Sequence, residues 1–356
     1  MVNKYTNEEV DDVIDESTEE TVPYKYSITS YGADYTVDML VKRLSNDVVF
    51  IPPFQRSYVW SLNQASRFVE SLLLGLPVPG VFLSKESTTG KMLVIDGQQR
   101  LKTLQFFYEG LFRGREFKLK GVQDRFEGKT YKKLEEADRL RLDDSIIHAT
   151  IVKQDEPSDD ESSIYHVFER LNTGGMQLQP QEIRACIYHG KFNNLLSELG
   201  KTQSWQTIYG SPSDRLKDQE LILRFFALYF DFDNYRRPMK EFLNKYMGKN
   251  RNLKHQEKDN LKSIFMPTID FIAKALGKKA FRPERALNAA VYDAVVVGVA
   301  RRLKQNSISE IDRFIKKYDE LLNNEYFISA CKTSTSDEVN VKKRIRIATD
   351  YFADLN

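Results

Sequence analysis

One stretch of the sequence combines a carboxylate, a glycine, two amides and a guanidinium in five successive positions, Asp96–Arg100. It follows the apolar run Met92–Ile95, which predicts a buried strand, and it precedes apolar residues at the spacing of one helical face. Those apolar residues are Leu101, Leu104, Phe107, Tyr108 and Leu111. The pattern predicts a strand, a sharp turn and a helix.

This turn has the groups that bind phosphate. Gly97 permits a sharp backbone, and the unpaired N–H groups of the first helical turn point at one spot, together with the positive end of the helix dipole. Such a spot suits an anion. Gln98 and Gln99 add side-chain donors, and Arg100 adds a planar fork that matches phosphate oxygens. The alternative is a polar turn with Arg100 on the surface.

The elements around the turn are predicted to form a small mixed sheet with helices. Thr36 can cap a short helix, and Ser61 with Gln64 predicts a capping box at the start of a second helix. Two apolar runs separated by a Thr-Gly turn predict a hairpin that delivers Asp96. The predicted strands are 48–51, 81–84, 92–95, 146–152 and a possible one at 116–122, and a helix is predicted over 159–171.

The second half of the chain has helical periodicity only. Pro180 is at a favoured first helical position, and the strands are confined to the first half. The predicted helices are 183–188, 214–230, 239–246, 260–276 with a break at Pro267, 287–303, 308–327 and 339–352. We therefore predict an α+β fold with a disordered acidic tail at 1–22, a nucleotide-binding domain at 23–176 and an all-α domain at 177–356. The acidic tail is either a solvating leader or a regulatory arm that mimics nucleic acid.

Composition bounds the class of protein. The chain has 356 residues, 41% hydrophobic and 29% charged, which is typical of a globular protein with one large domain or two. Its net charge of +2 is too small to indicate a class of binding partner. Any nucleic-acid contact must therefore come from local basic patches. Two cysteines, Cys186 and Cys331, build no disulfide framework, and no signal peptide or membrane span is apparent. We expect a cytoplasmic protein without a zinc site.

Four segments could converge into one site, because each places a guanidinium beside a turn or a helix start. They are Gln55-Arg56, Asp96–Arg100, Glu169–Gly175 and Glu182-Ile183-Arg184. Asp96, Glu169 or Glu182 could hold a hydrated Mg²⁺ between protein and phosphates. Taken singly, each segment is equally explained by a surface ion pair or a loop-bracing arginine.

A basic run interleaved with aromatic residues suggests nucleic-acid contact. Its cations include Arg236, Arg237, Lys240 and Lys245, and the aromatic residues among them are Tyr235, Phe242 and Tyr246. Phosphates would bind the cations, and bases could stack on the aromatic rings. The alternative is a solvated helix face whose aromatic residues are its core stripe. A second basic cluster comprises Lys342, Lys343, Arg344 and Arg346.

Several catalytic centres are not expected. No sequence matches the phosphate-binding loop Gly-x4-Gly-Lys-Ser/Thr, and no Gly-x-Ser-x-Gly elbow occurs. The four histidines lack the neighbours of a His-Asn-His metal nuclease. Cleavage of DNA by this chain alone is therefore not expected.

Several motifs of this chain resemble the N-terminal domain of GmrSD-type modification-dependent restriction enzymes (domain of unknown function family 262). The motifs are Ile-Pro-Pro-Phe-Gln-Arg-Ser-Tyr-Val-Trp at 51–60, Glu-Ser-Leu-Leu-Leu-Gly-Leu-Pro-Val-Pro at 70–79, Val-Ile-Asp-Gly-Gln-Gln-Arg at 94–100, and Arg-Leu-Asn-Thr-Gly-Gly at 170–175 with Glu-Ile-Arg at 182–184. The resemblance covers roughly residues 26–184, and Phe281–Glu284, Leu287–Ala290 and Asp293 extend it weakly.

The resemblance implies a ParB/sulfiredoxin-like core that binds a nucleoside triphosphate, GTP, ATP or CTP with Mg²⁺, and often hydrolyses it in defence against phage or modified DNA. By motif, Gly97, Gln98, Gln99 and Arg100 would grip phosphate, with Asp96, Gln99 and Arg100 as the catalytic set. The Gln55-Arg56 element would face them. Asp96 would organise metal or water, and Asn172 is a weaker member of the same centre.

Members of this family commonly carry a His-Asn-His nuclease domain, which the histidines of this chain do not predict. The chain would then act as a sensor or NTPase beside a separate effector or nuclease subunit, and a homo-oligomer is compatible with that role. The alternative is a non-enzymatic DNA-binding or adaptor module that uses nucleotide as a conformational ligand.

Overall fold

The computed structural model describes residues 10–11, 27–52, 58–86, 89–156, 162–171 and 178–355. Contacts divide the chain into two units. The sheet unit comprises 24–178 and 185–187, and the helical unit comprises 1–23, 179–184 and 188–356. No helix within the described ranges combines the length and the apolar character needed to cross a membrane.

The elements are numbered in chain order. The strands are β1 (Val10–Asp11), β2 (Ser27–Thr36), β3 (Val49–Phe50), β4 (Val81–Lys85), β5 (Met92–Asp96), β6 (Leu111–Phe112), β7 (Arg115–Glu116), β8 (Ile146–Glu156) and β9 (Leu287–Asn288). The helices are α1 (Val37–Ser45), α2 (Leu62–Leu73), α3 (Gln98–Glu109), α4 (Glu136–Asp144), α5 (Ser162–Leu171), α6 (Pro180–Ile187), α7 (Lys191–Leu199), α8 (Gln203–Tyr209), α9 (Lys217–Phe230), α10 (Met239–Asn250), α11 (Lys258–Leu276), α12 (Ala289–Leu303), α13 (Ile311–Leu322), α14 (Glu325–Lys332) and α15 (Glu338–Phe352).

The sheet unit contains a five-stranded mixed sheet in the order β2-β8-β4-β5-β3. The β2–β8 and β4–β5 pairs are antiparallel, whereas β4–β8 and β3–β5 are parallel. The predicted hairpin of β4 and β5 is therefore confirmed, as is the α+β class with a mixed sheet. The strand predicted at 116–122 is wrong. The short β6–β7 hairpin ends at Glu116, and residues 117–122 form no strand.

One face of the sheet packs against α1, α2 and α3. Alternate residues of the strands, among them Val81, Val94 and Ala149, are buried in this core, as period-2 alternation requires. Both predicted helix starts are confirmed. Thr36 accepts a hydrogen bond from the N–H of Met39, and the predicted capping box at the start of α2 is complete in both directions.

The helical unit is built around α12, whose residues are nearly all buried. Asp293 on this helix is fully buried and binds Arg224 of α9 through two hydrogen bonds of 3.0 and 2.6 Å. It also accepts one of 3.0 Å from Arg344 of α15. A single carboxylate thus joins three helices of the core.

Two helix predictions for this unit are wrong in detail. The break predicted at Pro267 is absent, because α11 runs through it. Proline has no N–H, so the carbonyl of Ser263, four residues earlier, loses its helical hydrogen bond. Both residues are exposed, and water can therefore donate to that carbonyl. The single helix predicted over 308–327 is two helices, α13 and α14, because the Asn324 side chain caps a new start at Phe327 N.

Candidate functional site: the Asp96–Arg100 turn

The predicted strand, turn and helix are present, and glycine is required at the turn. β5 ends at Asp96, Gly97 has φ 98° and ψ 9°, and α3 begins at Gln98. That backbone lies in the left-handed region, which disfavours any residue with a Cβ. A Cβ on Gly97 would also lie 2.5 Å from Cγ1 of Val81 on the neighbouring strand. Both the conformation and the close packing therefore exclude a side chain here.

The start of α3 has no side-chain cap, because Gly97 is its N-cap residue. A helix start without a capping side chain presents backbone N–H groups and the positive end of the helix dipole. Both favour an anion at this position.

The two charged residues of the turn pair with each other. The Arg100 guanidinium in the first turn of α3 donates to the carboxylate of Asp96, the last residue of β5, over 2.6 Å. The Arg100 side chain is only 13% exposed, whereas Asp96 is 43% exposed. The carboxylate thus lies at the surface and the guanidinium below it. Arg100 is not the solvated surface arginine of the alternative interpretation.

Gln99 holds the neighbouring chain segment against α3. Its side-chain oxygen accepts hydrogen bonds from the N–H groups of Val59 and Trp60, over 3.0 and 3.3 Å. One turn later, the Thr103 hydroxyl lies 2.7 Å from the Tyr58 hydroxyl, and burial raises the pKa of Tyr58. The segment 58–60 is therefore fixed to the turn, directly after the predicted Gln55-Arg56 element. The contacts give Gln99 a positioning role that its sequence motif alone does not indicate.

The remaining predicted members of the site are either outside the described residues or buried in the helical unit. Gln55, Arg56 and Asn172 lie outside the described residues. Glu182 and Arg184 are both buried in the helical unit, where they bind Arg215 over 2.8 Å and Glu220 over 2.9 Å respectively. Their side chains are engaged in the internal packing of that unit.

A histidine–carboxylate pair lies near the turn, and the sequence analysis does not find it. His148 Nδ1 of β8 lies 2.8 Å from Asp34 Oδ1 of β2, and both side chains are exposed. The register places Val81 beside Ala149, and Gly97 packs against Val81, so His148 is two strands from the turn. Two strand spacings amount to roughly 10 Å. A Cβ on Gly32 would lie 2.8 Å from the imidazole, so this glycine leaves room for the ring.

The predicted nucleic-acid residues are on the surface, but their aromatic neighbours are not. Arg236, Arg237 and Lys245 are exposed, and Lys240 is half-buried. The aromatic residues of the run are all buried in the core of the helical unit, and they are Tyr235, Phe242 and Tyr246. The core-stripe interpretation therefore holds for these rings, and stacking of bases on them is excluded. Binding of DNA by the cations stays a prediction.

The turn has the donor set of a phosphate site with one metal ligand. No group of three or more His, Cys, Asp or Glu side chains assembles as a metal cage within the described ranges. Mg²⁺ at phosphates keeps several waters and needs only one or two carboxylates from the protein. Asp96, exposed beside Arg100, fits that requirement. The fold and the turn thus define an α+β domain whose candidate site consists of the end of strand β5, a left-handed glycine and an uncapped helix start.

Comparison with known families agrees with this description. Residues 37–189 match the family model of the GmrSD restriction endonuclease, N-terminal domain. The chain therefore carries a domain of this family, and the family predicted from the motifs is confirmed. The matched model describes a domain of a restriction endonuclease, so the match implies a component of a restriction system that acts on DNA. No match was found among curated proteins.

Proposed function

We propose that this chain is a nucleotide-binding, NTP-hydrolysing sensor component of a restriction system that acts on phage or modified DNA. The observation that carries the proposal is the turn at Gly97. It combines an uncapped helix start, a glycine that no other residue can replace without strain, and the Asp96–Arg100 pair. The match of residues 37–189 to a restriction-endonuclease domain supports DNA as the polymer that the system acts on.

Each residue of the turn has a distinct part in this proposal. The backbone N–H groups at the start of α3 receive phosphate oxygens, and Gly97 lets the phosphates approach the backbone. Arg100 donates to phosphate oxygens and neutralises their charge. Positioned charge of this kind supplies most of the catalysis in phosphoryl transfer.

Asp96 is the residue that would hold Mg²⁺, which supplies positive charge at the phosphates when it is bound. A phosphate at Arg100 competes with Asp96 for the guanidinium, so binding of nucleotide releases the carboxylate for the metal or for a water molecule. Gln99 keeps the segment 58–60 in place beside the turn. The Gln55-Arg56 element that precedes this segment is proposed to complete the grip on phosphate.

The test is binding of labelled GTP, ATP and CTP with Mg²⁺ to wild type and to Arg100→Ala, followed by phosphate release with and without plain and modified DNA. Binding by wild type that Arg100→Ala loses, with release stimulated by DNA, is the expected result. Arg100→Ala should keep a cooperative thermal melt, because its side chain binds only at the turn. Absence of binding by wild type overturns the proposal.

Binding without turnover, even with DNA present, selects the second candidate, a non-enzymatic DNA-binding or adaptor module. The exposed cations Arg236, Arg237 and Lys245 are the observation that favours this candidate. In either case a separate effector would cut the DNA, and we place the complex in the cytoplasm.

A further inference from the structure

A basic groove lies between α14 and α15 of the helical unit. Its volume is about 790 Å³, within the range of sites that hold small ligands. The lining residues are Asn324, Tyr326, Val339, Lys342, Lys343, Arg346, Ile347, Asp350 and Tyr351. We call this set the α14–α15 groove.

The charge of the groove is strongly one-sided. Three of its lining residues are cations, Lys342, Lys343 and Arg346, and one, Asp350, is an anion. None of the three cations forms an ion pair within the part of the chain that the structure describes. Arg344, in the same basic cluster, differs from them, since it is fully buried and bound to Asp293. The cluster therefore divides into one structural arginine and three cations available to an outside anion.

The groove also exposes an aromatic ring. Tyr326 is 69% exposed and Val339 is 70% exposed, so both side chains are open to a ligand in the groove. The Lys343 ammonium lies over the Tyr326 ring, 5.0 Å from its centroid, and this contact orients the side chain. An exposed ring beside unpaired cations is the combination that binds a base together with its phosphates.

The floor of the groove is fixed by short-range contacts. Asn324 donates to the Tyr351 hydroxyl over 2.9 Å, and its side-chain oxygen caps α14 at the N–H of Phe327 over 3.0 Å. The Asp337 side chain caps α15 at the N–H of Val339 over 2.9 Å. Both helix starts are therefore capped, which fixes the backbone from which Tyr326 and the cations project.

From this arrangement we infer that the α14–α15 groove binds single-stranded nucleic acid, with phosphates at Lys342 and Arg346 and a base stacked on Tyr326. The partner is a single strand because the bases of a duplex are stacked on one another and cannot stack on a protein ring without being extruded. The inference takes DNA as the partner from the proposed function, but it is independent of nucleotide binding at Arg100.

The experiment measures fluorescence anisotropy of a labelled oligothymidine with the full chain in the absence of nucleotide. Omitting nucleotide separates this result from the outcome at the Asp96–Arg100 turn. Tyr326→Ala should weaken binding roughly 5- to 150-fold, the loss of one base–aromatic stack. Tyr326→Phe keeps the ring and should bind within about twofold of wild type by the same reasoning.

The cations are tested through the salt dependence of binding. The double substitution Lys342→Gln with Arg346→Gln should lower the slope of log affinity against log salt by about 1.4, since each phosphate contact on a single strand contributes about 0.7. Lys274→Gln is the matched control, an exposed cation in the last turn of α11 and outside the groove. It should leave both affinity and slope unchanged.

Three outcomes would overturn the inference. The first is no binding of the oligonucleotide by wild type, and the second is equal binding by wild type and Tyr326→Ala. The third is a duplex of equal charge that binds as tightly as the single strand and whose affinity is also unchanged in Tyr326→Ala. Thermal melts of all variants should match that of wild type, because the substituted side chains lie at the surface.

Discussion

The Arg100 guanidinium lies 2.6 Å from the Asp96 carboxylate, across the left-handed glycine that precedes α3. The guanidinium therefore has an internal partner, and a phosphate must compete with Asp96 for it. Charge-assisted hydrogen bonds of this kind contribute about 1.5–3 kcal/mol. If the turn binds nucleotide as proposed, the Asp96 carboxylate would lower the affinity for metal-free nucleotide and would provide the increase in affinity that Mg²⁺ gives.

Asp96→Asn should therefore separate these two effects. Removal of the competing charge is expected to raise the affinity for nucleotide in EDTA about tenfold, and it should abolish the increase that Mg²⁺ gives. Isothermal titration calorimetry with and without Mg²⁺ measures both. Asp47→Asn is the control, because Asp47 forms a more exposed pair with Lys91 in the same unit. A lower affinity of Asp96→Asn in EDTA would contradict the assigned role of the carboxylate.

Gly97→Ala should destabilise the sheet unit by roughly 2–5 kcal/mol. A left-handed residue with a Cβ costs about 1–2 kcal/mol, and the contact with Val81 adds an overpacking cost of about 1–3 kcal/mol. Urea unfolding measures the sum. Gly110→Ala, at the other end of α3, is a matched control, since Gly110 has φ 78° but no atom within 4 Å of its Cβ position.

The Gly110→Ala variant should show the backbone cost alone, about 1–2 kcal/mol. Equal losses in the two variants would mean that Val81 moves aside freely. In that case the close packing of the turn against β4 would not be a constraint on its sequence.

The turn could be predicted from sequence because its signals are local. A buried strand, a glycine and a helical face are contiguous, so Asp96–Arg100 and the caps at Thr36 and Ser61 follow from short-range rules. The family could also be predicted from sequence, because its motifs are short contiguous stretches of residues. Its further implications, the ParB/sulfiredoxin likeness, the nucleotide and the catalytic roles, stay predictions.

What sequence did not reveal depends on contacts between distant residues. Asp34 and His148 are 114 positions apart and meet only because β2 pairs with β8. β2 itself was missed, because its residues are largely polar and it lies at the edge of the sheet. Asp293 was seen only as part of a weak motif, and its two arginine partners come from helices far along the chain.

Asp293→Ala should destabilise the helical unit by about 3–5 kcal/mol, because it leaves Arg224 and Arg344 buried without a counter-charge. Chemical unfolding is the measurement. Asp354→Ala is the control, since Asp354 also binds two cations, Arg313 and Lys317, but is 59% exposed. It should cost much less than Asp293→Ala, because solvent screens an exposed ion pair. Similar losses in the two variants would contradict a role for burial in the strength of the Asp293 contacts.

Asp218 should make the helical unit less stable as pH rises. Burial at the start of α9 raises the pKa of this carboxyl from 3.8 to about 6, even though it accepts a hydrogen bond from the Ser213 N–H over 3.2 Å. The folded state therefore holds a proton that the unfolded state has already released. Stability from this group is complete below pH 3.8, falls as pH rises towards about 6, and stays low above it.

The difference between 3.8 and about 6 corresponds to roughly 3 kcal/mol of unfolding free energy above pH 6. Asp218→Asn keeps the oxygen that accepts from Ser213 but has no charge to bury. Its stability relative to wild type should therefore rise by about 2 kcal/mol between about pH 4.5 and about pH 7.5. Urea unfolding at the two pH values measures this, and any constant effect of the amide cancels in the comparison.

Added salt should leave that rise in place, because burial and not a neighbouring charge is its main cause. A difference between Asp218→Asn and wild type that does not change with pH would mean that the Asp218 carboxyl has the same pKa in the folded and unfolded chains. The backbone N–H groups at the start of α9 would then fully compensate for its burial.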